Sequence, residues 1–481
     1  MITSFNILLL IALIIFQIKA DNKLVFVMTH FRHGARAPQY YYVDHLDYVK
    51  ESWLYPGELT ALGQRMHYLL GIRNRIRYID NFKFLHEKFD PHQLLIYSSA
   101  YNRTIISVSS QLQGLYPQFV HLGEKITEEQ EKNAVPQVDI DYDVINEEIK
   151  NLNYSALPYS MMLAPIRMIN VNERKITVYD IEGCVDERDA IKQKNYEALP
   201  NVQDLVNTFK RRYGEKLYDF YHKKENYDIN FIDNFCDAFI AGYTDKREMK
   251  ELNMTGLNFT ELVDYCFNFV KIGFRDYILG DEKHVLAHLE VSRLMKEFIH
   301  YMKKRVDADI NKEDIDSQYE DYSRPKMMMV SGHDSTISCH EVFLMEAFGL
   351  NSSFYIYPKF ATQIAFEVTT NDNTEEKKTY KDYYINFYFN DDLKLNVTMQ
   401  EFLDKVTPHI WSDKQIDDFC GINEDKKESE NDLNIFILIL FISLTTILLV
   451  IIVILSILLF KKNKKIASFS SISLISKNTE Q

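Results

Sequence analysis

A chain of 481 residues with a net charge of −14 and no basic cluster on its main body argues against nucleic acid as a partner. The acidic balance does not exclude an anionic substrate, because a local arginine cluster binds an anion on an acidic protein. Apolar content is ordinary, enough for a large core in one large domain or two.

In chain order, Ile7 to Phe16 is an apolar core of signal-peptide length, and Lys19-Ala20 offers a cleavage point before Asp21. Residues 1–20 therefore read as a signal peptide, with a retained anchor as the alternative. Leu24 to Met28 reads as a short buried strand. It feeds the polar stretch Thr29-His30-Phe31-Arg32-His33-Gly34-Ala35-Arg36-Ala37-Pro38 at the carboxyl edge of a sheet, where open α/β folds bind ligands. Arg32 and Arg36 can grip a phosphate with planar forks of donors, and His33 between them can act as a nucleophile or a general acid/base. His30 and His33 have a ligand-like spacing, but the interleaved arginines repel a cation and no carboxylate or cysteine completes a set. No metal is expected there.

Thr60 caps a helix carrying Leu62, Met66, Leu69 and Leu70 at helical spacing, and Arg73, Arg75 and Arg77 read as its solvated end. Leu94 to Tyr97 is a second strand and Ser98-Ser99-Ala100 its turn. Ile105, Val108, Leu112 and Leu115 then mark a helix with Arg103 in its first turn. From 125 to 324 the spacing is mainly helical, as in Leu205-Phe209-Tyr213-Leu217-Phe220, with one strand signal at Lys175 to Tyr179. His284, His288 and His300 in this insertion read as solvent or packing histidines, because no partner acids sit at metal spacing.

The sheet pattern returns at Met327 to Val330. The turn Ser331-Gly332-His333-Asp334 and a helix ending at Gly349 follow, and Ile364 to Val368 and Tyr384 to Phe389 are later strands. Residues 423–434 form a polar stalk. The uncharged run 435–460 would be roughly 39 Å long as a helix at ~1.5 Å per residue, enough to span a bilayer. Lys461-Lys462-Asn463-Lys464-Lys465 favours the cytoplasmic side, so a single-pass type I topology with a cytoplasmic tail at 461–481 is expected. Five cysteines then lie in an oxidising compartment, which allows two bridges and one free thiol. Acceptor triplets begin at Asn153, Asn253, Asn258, Asn351 and Asn396.

Three strand ends thus offer Arg32, His33, Arg36, Arg103, His333 and Asp334. The arginines can bind the non-bridging oxygens of a phosphate, one histidine can carry the phosphoryl group, and Asp334 can protonate the leaving alkoxide. Protonated Asp334 is most available at low pH, so an acidic optimum is expected.

Arg32-His33-Gly34-Ala35-Arg36-Ala37-Pro38 resembles the RHGxRxP signature of the histidine acid phosphatases, within the phosphoglycerate mutase-like superfamily. Asn102-Arg103-Thr104 is similar to that family's Asp-Arg-Thr segment, and Ser331-Gly332-His333-Asp334 to its terminal His-Asp motif. The resemblance implies an α/β fold, a phosphoglycerate mutase-like mixed sheet flanked by helices (21–124 and 325–422) with a mainly helical inserted domain (125–324). It implies His33 as the phosphorylated nucleophile, Asp334 as the proton donor, and Arg32, Arg36, Arg103 and His333 as phosphate ligands. No cofactor is implied. The expected partners are a small-molecule phosphate monoester and, through one helix, a membrane; a homodimer is left open. A phytase-like inositol phosphate phosphatase and a non-catalytic receptor ectodomain are the competing readings. The lysosome or endosome and the cell surface are the candidate locations, with the catalytic domain lumenal or extracellular. The family also implies a Cys184–Cys420 bridge; Cys236 with Cys266 is a further expectation, leaving Cys339 free. Where the family reads Arg-Ser-Thr-Asp before its arginine segment, this chain reads Tyr97-Ser98-Ser99-Ala100, and Gln363 stands where animal relatives often carry a bridging cysteine.

Overall fold

The apolar run after residue 22 becomes β1 (Asn22–Arg32), and its residues from Leu24 to Arg32 are buried. A near-continuous apolar strand of this kind belongs in the middle of a sheet covered on both faces. In this computed structural model the described residues are 22–39, 53, 55–117, 125–131, 134, 147, 149–152, 154–158, 162–169, 190–191, 194, 200–221, 227–246, 256–279, 284–313, 325–371, 378–420, 438–459 and 461. Residues up to Ile416 form one compact unit and Asp417–Gln481 a second.

The further strands are β2 (Leu94–Ser99), β3 (Arg167–Ile169), β4 (Met327–Gly332), β5 (Gln363–Asn371), β6 (Tyr383–Phe389) and β7 (Asp392–Thr398). They form one mixed sheet in the order β3-β2-β4-β1-β5-β6-β7. β3, β2, β4 and β1 run parallel, whereas β5, β6 and β7 are antiparallel to their neighbours. β1 continues through Thr29-His30-Phe31-Arg32, which the sequence places in a loop. The reason is pairing on both sides, with Arg32 opposite Gly332 on β4 and Phe31 opposite Gln363 on β5.

Helix α1 (Ala61–Arg75) is capped by Thr60, whose side chain accepts from the Gly63 N–H. Its expected apolar stripe does not face inward, since Leu69 is 56% exposed and the buried positions are Gly63, His67, Gly71 and Asn74. α1 instead crosses α2 (Asn102–Leu115) at backbone contact. A Cβ on Gly71 would collide with the Gln111 carbonyl, and one on Gly114 with the Tyr68 carbonyl. The arginines after it are not a solvated end either. Arg75 is buried and donates to the Leu115 carbonyl, and Arg77 forks onto Glu367 of β5 at 2.5 and 2.6 Å. A buried carboxylate needs such a partner, and Glu367 also accepts from the Tyr78 hydroxyl at 2.9 Å.

Between β3 and β4 lie α3 (Pro200–Tyr221), α4 (Ile229–Thr244), α5 (Phe259–Leu279) and α6 (Val285–Asn311). Phe209, Phe235, Phe239 and Phe269 make an aromatic core there, and Cys236 of α4 is bridged to Cys266 of α5. α6 returns to the sheet, setting Phe298 against Phe26 and Phe366. α7 (Asp334–Phe348) follows β4, ends at Gly349 with φ +63°, and α8 (Met399–Val406) follows β7. The expected strand at Lys175 to Tyr179 lies outside the described residues, while β3 and β7 were not expected.

Cys339 is buried, and Cys420 is disulfide-bonded. Cys184, Asn153, Asn253, the signal peptide and the stalk lie outside the described residues, whereas Asn258, Asn351 and Asn396 are exposed. In the second unit, a 22-residue helix, Leu438–Leu459, has mean hydropathy 3.3 and is long and apolar enough to cross a membrane.

Candidate active site

Parallel pairing of β1 with β4 brings the two motifs together. Gly332 lies opposite Arg32, and the His33 N–H donates to the Gly332 carbonyl at 3.0 Å, so His33 and His333 leave the sheet side by side. Their rings sit edge to face, 5.6 Å apart. β2 pairs with the other side of β4, with Ser98 opposite Ser331, so the turn leading to Arg103 arrives at the same edge.

The loop after β1 is tied down at each step. The Gly34 N–H donates to the Ser107 hydroxyl of α2, the Thr60 N–H and hydroxyl both donate to the Ala35 carbonyl, and the Ala37 N–H donates to Glu58. Beneath it, buried His67 bridges the Arg32 carbonyl at 3.1 Å and Gln111 at 3.2 Å. Gln363, the cysteine-replacing position, accepts from Asn74 and Gln111 in the same buried amide cluster.

Each side chain then has a defined setting. Arg32 pairs with Asp334 at 2.7 Å, donates to the Pro358 carbonyl at 2.9 Å and lies over the Phe360 ring at 4.3 Å. Arg36 grips Asp237 of α4 with both terminal nitrogens, at 3.1 and 2.8 Å. Burial would raise the Asp237 carboxyl, but its ion pair and hydrogen bonds to Arg36, with the Gln39 N–H, outweigh this and hold it below the ordinary carboxylate range. Arg103, in the first turn of α2, lies over the Tyr101 ring at 4.4 Å. Asp334 opens α7, and its carboxylate accepts from the Ser335 N–H at 3.0 Å.

The histidines are buried among these cations. His33 Nδ1 lies 2.9 Å from the Gly34 carbonyl, which can only accept, so Nδ1 carries the proton and Nε2 presents its lone pair. Burial, then the charges of Arg32, Arg36 and Arg103, then His333, push the His33 pKa well below its ordinary value of 6.5. His333 is lowered likewise by burial, then Arg103, Arg32 and Arg36. Its Nε2 is 3.0 Å from the Ser99 hydroxyl, which meets Thr104 at 2.8 Å, and Thr104 donates to the Ser99 and Tyr101 carbonyls. The chain of donors therefore ends with His333 Nε2–H donating to Ser99. Ser99 thus orients the His333 ring, and the Tyr101 ring lies edge-on to His333 at 5.1 Å and under Arg103. His30 lies below, buried, its ring edge-on to His340 at 5.2 Å.

All six motif residues, Arg32, His33, Arg36, Arg103, His333 and Asp334, thus meet at one edge. Sequence reasoning missed Asp237, which stands 201 residues from its partner in a helical stretch with no motif of its own. It also missed the loop carrying Tyr357 and Phe360. Next to Arg32, a cavity of about 790 Å³ opens between that loop, α4 and α5, with Lys246, Lys271 and Lys359 on its wall.

A mixed α/β sheet with a cluster of guanidinium and imidazole groups at its parallel strand ends defines a class of anion-handling fold. Within it, residues 23–390 match the model of the histidine phosphatase superfamily, branch 2, so the chain belongs to that family. Lysosomal acid phosphatase of Xenopus laevis is 37% identical over 100 residues, which cover 20% of this chain and 22% of the relative. Prostatic acid phosphatase of Homo sapiens is 40% identical over 102 residues, 20% of this chain and 24% of the relative. The matched segments therefore span less than a third of these relatives. Among solved structures, the phytase from Citrobacter braakii is 10% identical and covers 83% of this chain and 99% of its own, with a TM-score of 0.48.

Proposed function

We propose that the chain is an acid phosphatase that hydrolyses phosphate monoesters through a phosphohistidine on His33. One observation carries this reading: His33 Nε2 is held as a free lone pair amid Arg32, Arg36 and Arg103, on a ring that burial and those charges keep neutral in acid. The ester dianion lies among the guanidinium groups, and Nε2 attacks phosphorus. The N–P bond forms as the P–O bond to the leaving group breaks, and Asp334 donates its proton to the departing alkoxide. Water then attacks phosphorus as the N–P bond breaks, Asp334 takes the proton of the water, and inorganic phosphate leaves with His33 restored. A dianion must displace the Asp334 carboxylate from Arg32, while Asp237 keeps Arg36 in place. The dianion also favours the charged form of His333, opposing its burial, so that His333 can donate a hydrogen bond.

The full chain in detergent, offered a small aryl phosphate and a small alkyl phosphate from pH 4 to 8, tests the reading. Turnover that His33→Ala abolishes and Asp334→Asn lowers by about 10²–10⁴-fold with an alkyl leaving group supports it. Robust turnover by His33→Ala would overturn it.

A phytase-like specificity has one specific support, the three lysines on the wall of the cavity beside Arg32, which suit a substrate with more than one phosphate. In that case Lys246→Ala combined with Lys271→Ala and Lys359→Ala raises KM for an inositol polyphosphate and leaves a simple aryl phosphate unaffected. Equal effects on both substrates favour broad specificity.

The apolar helix Leu438–Leu459 supports a membrane anchor, and the basic residues after it support a cytoplasmic tail. With the N-terminal apolar core and the acceptor triplets, this is the pattern of a glycosylated type I protein with its catalytic part in the lumen or outside the cell. The relative named lysosomal acid phosphatase supports the endosomal and lysosomal route. The domain limits follow the same reading, with 125–324 as an insertion between the two halves of the α/β part.

A further inference from the structure

Far from the strand ends, three elements distant in sequence converge on one carboxylate. Glu346 stands near the end of α7, twelve residues past Asp334, on the order of 18 Å along the helix at ~1.5 Å per residue. His288 of α6 places Nε2 3.0 Å from Glu346 Oε2, and His409, in the turn Thr407–His409 after α8, places Nδ1 3.3 Å from Oε1. His284 Nδ1 reaches Oε2 at 3.0 Å from a left-handed backbone, φ 45° and ψ 40°. Packing fixes these rings. Trp411 stacks on His288 at 5.5 Å, and Phe343 meets it edge-on at 5.7 Å.

The geometry around His288 suits a metal ion. Its Nδ1 is 2.7 Å from the His409 backbone carbonyl and must donate to it. In the neutral ring, Nε2 is then a lone pair aimed at a carboxylate oxygen, which is repulsive unless a cation or a second proton lies between. A backbone carbonyl holding the remote N–H of an imidazole is the arrangement that orients a metal-binding histidine. The three ligand atoms lie within 4.8 Å of one another, and two histidines with one glutamate form a zinc set that leaves a fourth position for water. Ligands at ~2.0–2.1 Å from a tetrahedral ion stand roughly 3.3 Å apart, close to the two nitrogen–oxygen separations of 3.0 and 3.3 Å here. Glu346 is 26% and His409 29% exposed, so an ion can enter from solvent.

We propose that His288, Glu346 and His409 bind one zinc ion, with His284 hydrogen-bonded to the carboxylate behind it. Its role is to tie α6, α7 and the turn after α8 together, away from the phosphate chemistry. The sequence hides the set because its members lie 58 and 121 residues from His288.

The test uses the full chain in detergent, stripped with a chelator, reloaded with zinc alone and dialysed. One equivalent of zinc should remain, the Tm should rise on loading, and cobalt in place of zinc should show the visible bands of a tetrahedral ion. Glu346→Gln, or His288→Ala with His409→Ala, should lower zinc affinity at least about tenfold and abolish the Tm shift. If the wild-type chain keeps less than roughly a tenth of an equivalent, the cluster is only an ion pair and the proposal fails. It fails equally if the variants retain zinc as the wild type does, or if cobalt gives only the weak spectrum of an octahedral ion. The wild-type cobalt spectrum decides even where a variant does not fold.

Discussion

At the scale of the residue, protonation governs the site. His33 is buried against Arg32, Arg36 and Arg103, and both burial and charge lower its pKa. In the ligand-free protein its ring should therefore remain neutral at pH 5.5, as histidine NMR with His33→Ala as the assignment control can check; an ordinary titration near 6.5 would contradict the account. Asp237 acts one step further out. It anchors Arg36 in a two-pronged, part-buried pair, and removing one partner of such a pair leaves a buried charge exposed to an apolar setting. Asp237→Ala should raise KM for an aryl phosphate and cost about 3 kcal/mol in urea unfolding. A KM within twofold of the wild type would show that Arg36 needs no anchor.

At the scale of the element, two helices approach until only glycine fits. Gly71→Ala or Gly114→Ala drives a methyl into a carbonyl of the facing helix, and a loss of about 1–3 kcal/mol is expected from chemical denaturation. The same crossing explains why α1 was only partly readable. Its apolar residues follow a helical period, which located the helix, but a close backbone crossing needs small residues, and Leu69 was left to solvent. The strands β1, β2 and β4 were readable because each is a buried apolar run ending in a polar turn. β3 and β7 were not. β3 is three residues long and no residue of β7 is buried, so neither carries a burial signal. Arg77 misled for a related reason: its partner Glu367 sits on a strand 290 residues away. In the candidate site, the six motif residues are legible because they gather at the ends of three buried apolar strands, β1, β2 and β4. Asp237, Ser99, Tyr101 and Phe360 support them from turns, a helix and a loop whose position depends on tertiary packing.

At the scale of the whole molecule, acid strains the fold in the very range where the proposed chemistry runs. His67 and His340 are buried, with pKa values lowered to about 4 mainly by desolvation. Unfolding restores their ordinary value near 6.5, so the unfolded chain takes up protons first as the pH falls. Stability is therefore full above 6.5 and declines from there toward 4, by about 3 kcal/mol for each of the two. His30, His33 and His333 shift in the same direction. Urea midpoints of the full chain should fall between pH 7 and pH 5, and inorganic phosphate should recover part of the loss by favouring charged His333. A midpoint constant over that range would contradict the burial of these rings.

If phosphorus passes through His33, the phosphohistidine can be trapped. The full chain is mixed with an aryl phosphate carrying labelled phosphorus, quenched within one turnover in alkali, where phosphohistidine survives, and digested. Acid-labile label is expected on the peptide containing His33, and none in His33→Ala. Label on another residue, or steady turnover by a chain that never holds label, would contradict it.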